Sequence, residues 1–336
     1  MFLVSVGATG FAQPCEQTIS QLRLNTFFLM RNWQADSPAG LLLDPEVSSQ
    51  LTQAHGHQKQ RRAMSVYNVK RRIIEHYDVL SPYYRTLWGE HLHHGYWENG
   101  SETKEEAQIA LAALLAEVTN ISPGASILDV GCGFGASSIF LAKKYDASVT
   151  GVTISPVQAV MARQAAESAN STAQFLLMDA DHLCFLGKFD VIWSIEAISH
   201  FSNKTGFFAR ATQMLKPGGK LALIDWFKAD GLSQAEHRRY ITPIERGMLV
   251  ELESIADYVE VISASGMEVL QTCDLSERCS KTWEISASLI KDPALWRLAS
   301  TQGVEFVRFL RSIGAMRGGF ASGSFVYGML VAQKEK

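Results

Sequence analysis

The run Ile127-Leu128-Asp129-Val130-Gly131-Cys132-Gly133-Phe134-Gly135 constrains this chain more than any other stretch. A short apolar run that reads as a buried strand ends in glycines, and a helical pattern, Ala136–Tyr145, follows at once. Glycines at such a junction permit a tight turn and the close approach of a ligand to the backbone. A lone G-x-G would read as a plain strand-to-helix turn. Three alternating glycines, two residues after an acid inside the strand, point instead to a loop that cradles a ligand.

The same strand-helix rhythm continues on the C-terminal side. Ser148–Ile154 is rich in β-branched residues and reads as a strand. Pro156–Ala169 reads as a helix with proline in its first turn, where a missing N–H costs little. Ala173–Met178, Phe189–Ile195 and Lys220–Phe227 read as strands, and Phe207–Leu215 as a helix stopped by Lys216-Pro217-Gly218-Gly219. Glu253–Gly266 is a helix closed by glycine, and Met267–Cys273 a sixth strand. Ser280–Ile313 is mostly helical with a break near Pro293. Gly318-Gly319 and Gly323 then punctuate the chain before a last strand, Ser324–Ala332. The pattern predicts an α/β fold whose mostly parallel sheet carries helices on both faces.

On the N-terminal side, Glu105–Val118 is an Ala/Leu-rich helix with an acidic start. Tyr67–Tyr84 has near-helical apolar spacing. Gln13–Arg62 is polar, Gln-rich and aperiodic, and reads as loop or disorder. The expected organisation is an irregular extension over 1–64, with Met64 a candidate true start, and a helical cap over 65–118. The core over 119–336 then carries lid insertions at 230–252 and 280–318.

With 336 residues, 47% of them hydrophobic, the chain can bury a sizeable core. The net charge of -3 gives no electrostatic footprint for nucleic acid or anionic lipid. No apolar run reaches the roughly 18 residues of a membrane span, so no stable insertion is expected. Five scattered cysteines form neither a disulfide framework nor a zinc pattern. The first basic residue is Arg23, so the apolar start lacks the positive charge of a signal peptide. A reducing cytoplasm is the expected compartment.

Two ligands compete for the glycine loop. Gly131, Gly133 and Ala136 formally fit the dinucleotide pattern. That pattern also wants an acid about 20 residues on, at the end of the second strand. Here that strand ends Gly151-Val152-Thr153-Ile154-Ser155, without one. Asp129 below the loop would repel a pyrophosphate, but it could support the ammonium of an amino-acid-bearing nucleoside.

Further stretches carry a resemblance. They are the Asp179-Ala180 pair after the third strand, FDVIWSIEAISH and LKPGGKLALIDWF. Tyr77-Asp78, Trp88-Gly89, His93-His94-Gly95-Tyr96-Trp97 and Thr153-Ile154-Ser155-Pro156-Val157-Gln158 join them. From about Tyr77 to Ala332 the chain resembles class I S-adenosylmethionine-dependent methyltransferases. Within these it is similar to the small-molecule branch of gamma-tocopherol methyltransferase and cyclopropane-fatty-acid-synthase-like enzymes. The resemblance implies a Rossmann-like methyltransferase fold with helical lid elements. Its seven-stranded, mostly parallel sheet has the order 3-2-1-4-5-7-6 and an antiparallel last strand. It also implies S-adenosyl-L-methionine as cofactor. Gly131, Cys132 and Gly133 then lie under its methionine part, with Asp129 nearby. Thr153, Ser155 and Gln158 meet the ribose and adenine edge, Gln158 replacing the missing ribose acid. Asp179 accepts from adenine N6, and Ala180 offers its backbone N–H. Asp179 also reads as a loop-capping aspartate.

A methyl acceptor then belongs beyond strands four and five. Losing a proton helps a hydroxyl or carbon acceptor react, and histidine is tuned for that near neutral pH. His200, after strand four, is the candidate base, and Asp225, near the end of strand five, the carboxylate that orients it. Related enzymes carry a His and an Asp at these positions. Glu196 is a second candidate acid. The same His and Asp also read as caps of a strand end and a turn. Tyr77, His94 and Tyr96 are candidate lid residues lining the site, with Trp226 beside them. Histidines 91, 93 and 94 lack the acid or cysteine cluster of a metal centre, so no metal is expected.

The expected function is methyl transfer to a small, largely apolar molecule such as a phenol, terpenoid, lipid or polyketide. An aromatic roof from the insertions, with Trp283, Trp296, Phe306, Phe309 and Met316, suits such an acceptor. Cyclopropane-synthase-like lipid methylation, an NAD-dependent oxidoreductase and a non-catalytic binding subunit are the alternatives. The oligomeric state stays open.

Overall fold

The computed structural model describes residues 67–289 and 293–336, with side chains described from residue 306 onward in the last helix. The expected 1–64 extension, the Met64 start and the side chain of Trp296 lie outside the described residues. The chain divides into two units. Among the described residues, the smaller holds helical residues 67–72 and the short segment 184–187. The larger, Ile73–Leu183 with Lys188–Lys336, carries everything below.

In the larger unit residues 73–87 are helical (α1). Then follow α2 (Lys104–Thr119), β1 (Ser126–Val130), α3 (Ala136–Tyr145), β2 (Ser148–Thr153), α4 (Pro156–Ser168), β3 (Gln174–Leu177) and β4 (Phe189–Ile195). The second half runs α5 (Lys204–Met214), β5 (Leu215–Lys228), α6 (Thr242–Met248), α7 (Ile255–Ala264), β6 (Met267–Asp274), α8 (Lys281–Leu289), α9 (Pro293–Ser322) and β7 (Phe325–Lys334). The strands form one sheet in the order β3-β2-β1-β4-β5-β7-β6. All pairs are parallel except those of β7, which runs antiparallel to β5 and β6. The expected fold and strand order are those observed.

Local chemistry explains most boundaries. Thr103 and Glu106 close a reciprocal capping box at the start of α2. Ser155 caps α4, its hydroxyl accepting from the Gln158 N–H at 3.1 Å, with Pro156 at the first helical position. Three expectations are corrected. The helix α5 starts at Lys204 rather than Phe207, because the Asn203 side chain caps it through the Gly206 N–H. The helix does stop before the Lys216–Gly219 stretch, but the fifth strand starts at Leu215 rather than Lys220, so that stretch lies inside the strand. It is a bulge inside β5, whose pairing to β4 jumps from Leu215 to Lys220. Gly318 and Gly319 do not break α9. A Cβ on either would come within 3.0 Å of Tyr240 or Phe325, so both serve close packing, and the helix ends only before Gly323.

The core lies against the sheet. Ile127, Leu128 and Trp193 at its centre are fully buried, each worth about 1.5–3 kcal/mol over an exposed position. A smaller cluster joins Leu80 of α1 to Phe306, Phe309 and Leu310 of α9, with Tyr84 packed against it. The helix α1 is thus tied to α9. From α1, Tyr77 and Asp78 reach the carboxyl ends of β4 and β2 through His200 and Ser155.

Candidate active site

The turn after β1 is held by the neighbouring strand. Both Gly131 N–H and Cys132 N–H donate to the Val152 carbonyl, at 2.9 and 3.0 Å. Gly131 has φ +81°, and a Cβ there would lie 2.2 Å from the Cβ of Ala197. The loops after β1 and β4 therefore touch, and only glycine fits at the contact. From above, Leu92 approaches Gly133, where a Cβ would meet its Cδ1 at 3.3 Å. His93 reaches Ser137 of α3 at 3.4 Å, so the aromatic-histidine segment lies over the glycine turn.

Asp129 is buried, and one oxygen accepts from the Ser138 hydroxyl at 2.6 Å. Burial pushes its carboxyl up to about 7, with the Ser138 bond pulling the other way. Its other oxygen has no protein donor among the described residues. Burial, and then Asp129, raise the Cys132 thiol well above its ordinary range, so a buried neutral thiol sits here. At the end of β2, Thr153 donates to Gln158 Oε1 at 2.8 Å, and Ser155 is the cap described above. Asp179 accepts from Asp181 N–H at 2.9 Å and meets His182 at 3.3 Å, capping the helical turn Ala180–His182. The Ala180 carbonyl accepts from Arg210 at 3.3 Å.

Three strands fix the loop after β4. Ser194 donates to Val130 O at 2.9 Å, and Glu196 N–H to Ile224 O at 2.8 Å. Asp225 takes the Ser199 N–H at 2.9 Å and its neighbour's, Trp226, at 2.8 Å. This is a correction: Asp225 does not orient the His200 ring. It is fully buried and caps the turn that carries His200. Burial raises it to about 6 against the two amide bonds.

The His200 ring is instead set by a main-chain atom. Its Nδ1 lies 3.1 Å from the carbonyl of Leu249, the residue ending α6. A carbonyl only accepts, so Nδ1 carries the proton. Nε2 is then a lone pair, and the Tyr77 hydroxyl donates to it at 2.9 Å. Burial, foremost, lowers the ring's pKa to about 4, and raises the Tyr77 phenol above its ordinary range. At neutral pH His200 is an uncharged acceptor facing a phenol.

Glu196 ends β4 in the left-handed region, φ +52°, uncommon for a residue with a Cβ. Its Oε1 accepts three donors: His94 N–H at 2.7 Å, His94 Nδ1–H at 2.8 Å and Tyr327 O–H at 2.7 Å. Burial is the largest single influence and opposes its charge, but the His94 ring, His93 and the Tyr327 hydroxyl together hold Glu196 below the usual range. Its second oxygen has no protein donor among the described residues. The His94 ring stacks on Tyr327 at 4.4 Å and meets Trp283 and Trp226 edge-on at 4.8 and 6.1 Å. His94 Nε2 and both indole N–H groups are buried without hydrogen-bond partners among the described residues.

The structure thus brings Tyr77, His94, Glu196, His200 and Trp226 around the tips of β4 and β5. Tyr96 is half-buried, its N–H bound to Ala107 O at 2.8 Å, and no hydrogen bond or ring contact ties it to them among the described residues. Sequence reading missed Leu249, Tyr327, Trp283 as a site residue, and Asp78. Among the described residues, no group of three or more His, Cys, Asp or Glu side chains could hold a metal ion, and no helix is long and apolar enough to cross a membrane.

Known proteins are similar to this chain in sequence and fold. Over 319 residues the chain is 31% identical to 2-methyl-6-phytyl-1,4-hydroquinone methyltransferase of Synechocystis sp., covering 89% of this chain and 96% of the relative. It is 29% identical over 299 residues to the chloroplastic tocopherol O-methyltransferase of Arabidopsis thaliana, covering 81% and 84%. The crystal structure of mycolic acid cyclopropane synthase CmaA1 complexed with SAH and CTAB superposes with a TM-score of 0.70 at 26% identity. It covers 79% of this chain and 98% of that one. The family model for mycolic acid cyclopropane synthetase matches residues 65–301. The chain belongs to that family.

Proposed function

We propose that this protein transfers a methyl group from S-adenosylmethionine to a hydroxyl or carbon of a small, largely apolar molecule. A phenol, terpenoid, lipid or polyketide-like compound fits best. The observation that carries the reading is the neutral His200 Nε2 holding a phenolic hydroxyl at 2.9 Å, beside the clamped carboxylate of Glu196. That lone pair accepts one hydroxyl at a time, so an acceptor hydroxyl would occupy it in place of Tyr77.

The residues present fit the cofactor. The Gly131 turn admits close approach, the open oxygen of Asp129 suits an ammonium, and the amide of Gln158 has a free donor end. When bound, S-adenosylmethionine supplies a methyl group activated as an electrophile. The chain's own residues do the rest. With the Tyr77 hydroxyl displaced by the acceptor, His200 Nε2 takes the proton that the acceptor hydroxyl loses, and the Leu249 carbonyl holds the ring in the required tautomer. Glu196 stabilises positive charge arising near the tips of β4 and β5, because His94 and Tyr327 fix it as an anion. Leu92 and His93 cover the glycine turn.

The named relatives support the acceptor class: one is described by a phytyl hydroquinone, another by tocopherol. The family's description supports lipid alkene methylation as a second reading. We place the protein in a reducing compartment, since Cys132, Cys273 and Cys279 are free thiols. The test is incubation with methyl-labelled S-adenosylmethionine and a panel of prenylated phenols, terpenoids, polyketides and unsaturated lipids. Label transfer to an oxygen or carbon of one class supports the reading, and upfield cyclopropane protons would move it to the second. Absence of both cofactor binding and label transfer sinks it.

A further inference from the structure

The end of β2 lacks the carboxylate that open α/β sheets commonly place against a ribose, yet a carboxylate stands there. It comes from the cap. Asp78 of α1 accepts the Ser155 hydroxyl at 2.5 Å and the Val157 N–H at 3.3 Å, both through Oδ1. Those two residues open α4 directly after β2. The second oxygen, Oδ2, has no protein donor among the described residues, and Asp78 is half-buried.

A second group at the same place is also half used. Gln158 is 4% exposed, its Oε1 taken by Thr153 at 2.8 Å. Its Nε2 has no acceptor among the described residues, although the side chain is almost wholly buried. Ser155 joins the two, because its hydroxyl donates to Asp78 and accepts from the Gln158 N–H. One carboxylate oxygen and one amide donor thus remain open within a single hydrogen-bonded network at a strand end. Adjacent hydroxyls, each a donor and an acceptor, are the chemistry that satisfies both.

We propose that Asp78 on the cap helix, paired with Gln158, receives the ribose hydroxyls of the nucleoside and so replaces the acid that β2 lacks. This rests on the methyl-transfer reading for the identity of the nucleoside. It has a structural consequence. Tyr77, the residue before it in α1, holds His200, so one turn of the helix touches both the cofactor side and the acceptor side.

The experiment is titration calorimetry with S-adenosylhomocysteine and its 2′,3′-dideoxyribose counterpart, against the full-length protein and Asp78→Asn. Asparagine keeps an oxygen for Ser155 and Val157 and removes only the open carboxylate oxygen. The unmodified protein is expected to prefer the ribose ligand by roughly 10-fold or more, the scale of one charge-assisted hydrogen bond. In Asp78→Asn that preference shrinks severalfold, while affinity for the dideoxy ligand holds. An equal loss for both ligands would mean that Asp78 only caps α4, and unchanged affinity for both would mean that it does nothing here; either overturns the proposal. If the unmodified protein binds neither ligand, the methyl-transfer reading falls first and this inference with it. Thermal melting of both proteins without ligand shows that the variant is folded.

Discussion

His94 grips Glu196 with two donors at once: its main-chain N–H at 2.7 Å and its ring Nδ1–H at 2.8 Å reach the same carboxylate oxygen. The two residues are 102 positions apart, so the grip pins the cap segment to the tip of β4. With Tyr327 as a third donor, Oε1 is saturated and the open oxygen is aimed by rigid neighbours rather than by its own rotamer. A backbone held at φ +52° costs on the order of 1–2 kcal/mol, a strain of the kind that collects at working sites.

Glu196→Gln should therefore cut turnover far more than it cuts cofactor binding. Glutamine can still accept from His94 and Tyr327, but it carries no charge. A fall in kcat of about 100-fold or more, with affinity for S-adenosylhomocysteine within about threefold, is the expected split. Steady-state kinetics with calorimetry on the same preparation measures it. Full turnover in the variant would reduce Glu196 to a fastener for the cap.

His200 is neutral from pH 5 to 8, because its ring titrates near 4 rather than near 6.5. Its proton-accepting capacity is lost only as the pH falls through about 4. It also contributes stability that is full above about 6.5 and lost as the pH falls from there to about 4. We expect His200→Ala to lower kcat about 100-fold across a flat profile from pH 5.5 to 8. Tyr77→Phe, which leaves the lone pair in place, should lower it less than tenfold. A wild-type acid limb of kcat/KM centred at 6.5 that disappears in His200→Ala would show a ring more solvated than this geometry allows.

How much of this was legible in the sequence follows from the range of each interaction. The glycine turn, Pro156 at the start of α4 and the strand-helix alternation are local patterns, so the elements over residues 127–169 could be placed by reading along the chain, whereas the strand order came only through the family resemblance. His200 was legible because it follows β4 directly. Its orienting partner was not. Leu249 acts through a carbonyl, an atom every residue owns, 49 positions away. Asp225 looked like that partner because it lies near the end of β5, but its oxygens meet the amides of Ser199 and Trp226 first. Tyr327 reaches Glu196 only because β7 pairs antiparallel with β5, setting Trp226 opposite Tyr327, a register no local pattern encodes.

The contact between the loops after β1 and β4 should make Gly131 intolerant of any side chain. A Cβ there would sit 2.2 Å from Ala197 on a backbone at φ +81°. Gly131→Ala is expected to cost about 2–5 kcal/mol from crowding and backbone strain together, and to abolish nucleoside binding. Gly124 is the matched control. Its φ is +75° with nothing within 4 Å, so Gly124→Ala should cost only about 1–2 kcal/mol and leave binding unchanged. Urea unfolding and calorimetry on the pair separate crowding from strain; equal penalties would mean the two loops do not touch.

Asp129 should trade stability for binding. Its carboxyl titrates near 7 in the folded chain because burial disfavours the charge, against roughly 3.9 when unfolded. Below about pH 4 it is protonated in both states and costs nothing. Between 4 and 7 the unfolded chain releases the proton first, so the fold loses stability as the pH rises, and above 7 the loss is complete. Asp129→Asn removes that loss while leaving an oxygen for Ser138. The variant without ligand should match the wild type near pH 4 and exceed it at pH 8, by at most about 4 kcal/mol for three units. Its affinity for S-adenosylhomocysteine should fall at least about tenfold at pH 8, where the wild-type carboxylate is charged and can hold an ammonium. Urea unfolding at pH 4, 6 and 8, paired with calorimetry, tests both halves. A variant no more stable at pH 8 than the wild type would mean the carboxylate is better solvated than its burial implies, and unchanged affinity would mean the ammonium is held elsewhere.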